Sequence, residues 1–261
     1  MRFGIMVWIL VLLLGAPTGA LNAESAPPPI ELSGWQEILA ARVSADGRVT
    51  YRTMAELDGE QLASLRHSLA DANLSNRTRD ERVAFWINAY NAAVIDVVLR
   101  GGRPDELRGR ARFYSWFELE VAGRSRTLDA IEAELDRYIV ADPRIRFALC
   151  NGALGAPPLA RDPFVAAKLD AQLATSARMF LRDESRNRLE AAPPALSMLF
   201  DWHRSQFEGV AGSLAAYVAP FAPLSARKKL LGPPPEEPFF LPFDWKLNAA
   251  FGEEPEARRR R

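Results

Sequence analysis

Cysteine and histidine are the scarcest chemistry in this chain: one Cys and two His in 261 residues. A lone thiol excludes an intrachain disulfide framework and any multi-cysteine metal site, and two imidazoles are too few for a histidine-rich metal centre. Charge of one sign is also missing, because 33 Lys+Arg stand against 33 Asp+Glu. A balanced chain has no electrostatic bias toward nucleic acid. No Gly-rich phosphate loop occurs, so no nucleotide cofactor is expected, and no metal. Carboxylates, amides and the thiol of Cys150 are what remain for function, on a chain whose 48% hydrophobic content can bury a real core.

The ends carry their own signals. Arg2, the apolar run from Ile5 to Leu14, Gly15, Pro17 and the small residues up to Ala20 or Ala23 follow the order of a secretory leader. Residues 1–23 are therefore predicted to be a signal peptide, retention as an anchor being the alternative, and the mature chain to be periplasmic or secreted with no membrane span. Residues 24–34, with Pro27, Pro28 and Pro29, read as an extended linker. Residues 35–250 read as a single globular domain, interrupted late by a proline cluster from Pro233 to Pro242. The charged residues 251–261 read as a disordered tail.

Within 35–250 the periodicity is mostly helical. Arg82 to Leu99 is apolar on both sides, with Val83, Trp86, Tyr90, Val94 and Val97 on one face and Phe85, Ala92, Ile95 and Leu99 on much of the other. Such a helix is central and buried, so Asn88 and Asn91 inside it need specific partners. They either fasten neighbouring loops or line a polar cleft. Phe113 to Val121 and Gly123 to Thr127 read as a hairpin, and Thr127 as the cap of a helix with Leu128, Ile131, Leu135 and Ile139 inward. Glu132 falls on that inward side and Glu134 on the outer one, which makes Glu132 a candidate site residue. Ile145, Phe147 and Leu149 alternate with Arg146, Ala148 and Cys150, a strand pattern that ends at the Asn151-Gly152 turn. On it Arg146 would share a face with Cys150 and oppose Glu132 in a bidentate pair. Pro163 to Phe180 and Ser197 to Phe207 read as helices, and Phe239 to Trp245 as extended. His67 reads as surface and His203 as a core imidazole. The sum is an α+β class, mostly helical with a small, largely antiparallel sheet.

Four blocks in order resemble one family: Phe85-Trp86-Ile87-Asn88-Ala89-Tyr90-Asn91-Ala92, Leu128-Asp129-Ala130-Ile131-Glu132, Asp142-Pro143-Arg144-Ile145-Arg146-Phe147-Ala148-Leu149, and Phe243-Asp244-Trp245-Lys246-Leu247-Asn248. The chain is similar to members of the domain-of-unknown-function 547 family, which is common among exported bacterial proteins. The resemblance implies a thiol-hydrolase-like site and fold, in which a helix Glu orients a strand His beside a Cys in the following turn. By that resemblance Glu132 is in place, but Arg146 stands for the His, Asn151 for the Cys, Ala153 for the Ser and Ala156 for a second Cys.

A guanidinium cannot serve as a base. The expected function is therefore a non-catalytic domain binding a small molecule, a peptide or an envelope protein through Glu132, Arg146, Asn151, Asn88 and Asn91. The competing reading is a thiol-dependent hydrolase or transferase using Cys150, which requires a bulge and a base from elsewhere.

Overall fold

The structure, a computed structural model, describes residues 30–107, 109–232 and 237–255. The segment read as a signal peptide, the first part of the segment read as a linker, residues 233–236 and the end of the charged tail lie outside the described residues. Three helices open the chain, α1 (Trp35–Arg42), α2 (Tyr51–Leu57) and α3 (Gly59–Ala70); they pack on one another, α2 packs on the long α4 (Arg79–Leu99), and Trp35 of α1 and Arg66 of α3 hydrogen-bond to Asn88 and Asp96 of α4. Every residue of α4 from Val83 to Val98 is buried. The helix begins three residues before the apolar pattern does, because Thr78 and Glu81 form a capping box. The Glu81 amide donates to Thr78 Oγ1 at 3.2 Å and the Thr78 amide to Glu81 Oε2 at 2.8 Å. By length and composition α4 could cross a membrane, but 89% of that apolar window is buried inside the protein.

After α5 (Arg110–Ser115) come β1 (Leu119–Val121) and β2 (Arg124–Arg126), antiparallel with Val121 opposite Arg124. The hairpin is shorter than the sequence suggested, since alternation starts only at Phe117 and Phe113 is a buried residue of α5. Its turn places Ala122 and Gly123 at φ 50° and 70°, as a two-residue hairpin turn requires. Thr127 then caps α6 (Leu128–Ile139) through the Ala130 amide, and Leu128, Ile131, Leu135 and Ile139 face inward as expected.

The strand expected at Ile145–Cys150 is not there: Pro143–Ala148 forms a 3-10 helix. Asp142 accepts the Arg144 amide at 3.1 Å and Pro143 occupies the first turn, and these local start signals outweigh the alternation. The alternation misled because it did not separate two faces; Arg146 is as enclosed as its apolar neighbours, at 5% exposure. The segment joins two cores. Ile145 belongs to the cluster around α4 and α6, while Phe147 belongs to a second one with Phe180, Phe200, Phe207 and Tyr217.

That second core is built by α7 (Leu169–Arg182), β3 (Ala195–Ser197), α8 (Met198–Trp202), α9 (Arg204–Ala211), α10 (Leu214–Val218) and α11 (Leu224–Leu230). α7 starts later than Pro163, because Gln172 holds the chain before it, accepting from the Val165 amide at 2.9 Å and donating to the Pro163 carbonyl at 2.7 Å. Ser197 to Phe207 is not one helix. His203, at φ −117° and ψ 23°, lies outside the helical well and separates α8 from α9. Finally β4 (Phe239–Leu241) pairs in parallel with β3. The chain is thus mostly helical with two small strand pairs, one antiparallel and one parallel, which is an α+β arrangement with less antiparallel character than expected.

Candidate functional site

A cleft of about 360 Å³ opens where the two cores meet. The α4–α6 side contributes Tyr90, Tyr114, Asp129, Glu132 and Arg146; α8 and the break after it contribute Trp202 and His203; Asn151 and Trp245 close it. Trp245 is held by backbone pairing with the turn after Cys150: the Leu154 amide donates to the Lys246 carbonyl, the Gly155 amide to the Asp244 carbonyl and the Asn248 amide to the Gly152 carbonyl, each at 2.8 Å. A side chain at Gly155 would put its Cβ 2.8 Å from the Asp244 nitrogen, so this approach requires glycine. Arg110 lies 3.6 Å over the Trp245 ring.

Three of the expected residues meet in this cleft: Glu132, Arg146 and Asn151. The pair between Glu132 and Arg146 forms, but not as an isolated bidentate contact. Arg146 divides its guanidinium, donating Nη1 to Glu132, Nη2 to Asp136 at 3.1 Å and Nε to Gln206 at 2.9 Å. It is thereby closed to an incoming anion. Glu132 is also less enclosed than its helical position suggested: its side chain is 27% exposed, the same as that of Glu134, which pairs with Arg126 at 2.9 Å. It lies at a cleft wall, where the aperture keeps it wet.

Asn88 and Asn91 are elsewhere, and they fasten. Asn88 donates to the Phe164 carbonyl at 2.8 Å and accepts the Phe164 amide at 2.9 Å. Asn91 clasps the end of the 3-10 helix, donating to the Ala148 carbonyl at 2.9 Å and accepting the Cys150 amide at 2.9 Å. Neither lines the cleft. Cys150 is also outside it. Its sulfur accepts from Asn248 Nδ2 at 3.3 Å, and burial pushes the thiol up to about 11. With the strand replaced by a 3-10 helix, the expectation that Arg146 and Cys150 share a strand face no longer applies.

The groups that sequence reasoning did not single out are Tyr90, His203, Trp202 and Trp245. Tyr90 is 2% exposed, yet its hydroxyl makes no hydrogen bond to any described residue. Burial, and then the charge of Glu132, raise its pKa well above the usual phenol value. His203 likewise has no described partner for either ring nitrogen, and burial with the nearby Arg146 charge lowers its pKa to about 4, so the imidazole is neutral. The sequence held a signal for two of these: Tyr90 and Trp245 sit inside the blocks that carry the family resemblance. His203 carried none, because its exposure depends on a helix break.

A second cavity of about 470 Å³ lies across the Phe243–Asp244 segment. Its cations are already paired, Arg48 with Asp46 at 3.0 Å and Arg186 with Asp183 and with the Leu154 carbonyl at 2.6 Å. Among the described residues no group of three His, Cys, Asp or Glu is placed to hold a metal ion.

A family model described as a protein of unknown function, DUF547, matches residues 74–181. The match spans Glu132, Arg146 and Asn151 and stops before His203 and Trp245, and it supports the resemblance read from the sequence. No curated protein and no solved structure matches the chain.

Proposed function

We propose that the chain is an exported, non-catalytic binding domain whose ligand occupies the cleft between the two cores. The observation that carries the reading is Tyr90, a buried side chain that lines the cleft with a hydroxyl no described residue satisfies. The Tyr90 ring is enclosed while its hydroxyl oxygen meets the cleft, so a ligand that replaces water there gains a hydrogen bond in a partly desolvated wall. His203, half-buried, also presents ring nitrogens without a described partner to the same cleft. The volume falls within the range of small-molecule sites, and the mixture of aromatic walls with a few convergent polar groups is typical of them.

Catalysis by the thiol is the weaker reading. Cys150 is buried among Asn91 and Asn248, held as a thiol, and faces neither cavity; the position where the family resemblance expects a base holds Arg146, whose guanidinium has no acceptor nitrogen to offer. The leader-like order of residues 1–23 supports export. The test is the melting temperature of the protein with and without fractionated small molecules from an extract. A stabilising fraction should lose its effect on Tyr90→Phe and keep it on Cys150→Ser. Ester or peptide hydrolysis that disappears in Cys150→Ser would replace this reading with the thiol enzyme.

A further inference from the structure

The walls of the cleft are uneven in charge. Asp129 and Glu132 line it from successive turns of α6, and Arg146 is its one lining cation among the described residues. That guanidinium already serves Glu132, Asp136 and Gln206. Asp129 makes no ion pair with any described residue, and desolvation alone raises its pKa. His203 adds no positive charge.

Around these carboxylates stand aromatic rings. Trp202 and Trp245 have centroids 5.6 Å apart with a 32° angle between planes, and Tyr90 and Tyr114 line the same cavity. Trp202 is 47% exposed although it touches both Trp245 and Phe243. Ring faces attract a weakly hydrated cation, and carboxylates beside them supply the counter-charge. An anion would meet Asp129, which no described cation pairs, and Glu132, while the Arg110 guanidinium is engaged over the Trp245 ring and with the Pro104 carbonyl.

Resting on the binding reading above, we infer that the cleft takes an organic cation, an amine or quaternary ammonium head group, seated against the exposed ring of Trp202 with Asp129 as its counter-ion, while Trp245 is already covered by Arg110.

The probe pair is choline and its uncharged carbon isostere 3,3-dimethylbutan-1-ol, with acetate as the anion, each titrated into the full chain while tryptophan fluorescence is followed. Choline should give a saturable change, and the isostere should bind about tenfold more weakly. Asp129→Asn, a change at an exposed position that leaves the core intact, should weaken choline about fivefold and leave the isostere unchanged. Trp202→Leu, at an exposed position, should weaken both. Equal binding of choline and the isostere, or preference for acetate, overturns the cation while leaving a binding cleft in place. No saturable response to choline also overturns it, and the extract experiment then decides separately whether the cleft binds anything.

Discussion

At the residue scale the centre of the account is how Arg146 is satisfied. Its side chain is 6% exposed, whereas those of Glu132 and Asp136 are 27% and 57% exposed, so the three members do not suffer equally when the cluster is broken. Removing Glu132 leaves a buried cation with fewer partners; removing the cation leaves two acids that water can reach. Glu132→Ala should therefore destabilise by about 2 kcal/mol, and Arg146→Met by less, in urea unfolding of both variants. His203 gives a pH dependence. Its folded pKa, about 4, lies below its unfolded value near 6.5, so between those values the unfolded chain binds more protons and stability falls as pH falls. The loss attributable to this group approaches about 3 kcal/mol by pH 4, and His203→Gln should flatten that part of the profile. For Cys150, thiol reagents should label the native protein far more slowly than the urea-unfolded chain at pH 8; fast native labelling with a low thiolate pKa would restore the enzyme reading.

At the element scale, the helices whose buried faces have a single period were legible. α4 was visible from its two-sided apolar content and α6 from Thr127 and its Leu and Ile spacing. What alternation could not show was Pro143–Ala148, because apolar and charged residues there are enclosed alike and the deciding information was the Asp142-Pro143 start. The same limit applied to the site. Glu132 could be named from helical periodicity, Arg146 from its place opposite it and Asn151 from the family resemblance, but the break at His203 and the pairing that swings Trp245 into place depend on contacts between segments remote in sequence. Capping is a testable part of this level. Thr78→Ala removes the acceptor for the Glu81 amide and should destabilise the protein by about 1 kcal/mol in urea.

For the whole molecule, the 3-10 segment is the seam. Phe147 stacks on Phe180 and Phe207 with centroids 5.2 and 5.7 Å away, while two residues earlier Ile145 is buried in the other core. The cleft follows from that arrangement: Arg146, between these two, is the residue that faces neither core's interior and reaches Glu132 on one side and Gln206 on the other. Phe147→Ala should therefore cost about 3–5 kcal/mol and also loosen the cleft, seen as weaker ligand-induced stabilisation. The binding claim itself is tested most directly by NMR of the two histidine side chains, since His203 lines the cleft and His67 is an exposed residue of α3 paired with Asp71. On adding the ligand that stabilises the protein, the His203 imidazole resonances should move saturably and those of His67 should stay in place. Movement of neither, with stabilisation intact, would put the ligand somewhere other than this cleft and contradict the account.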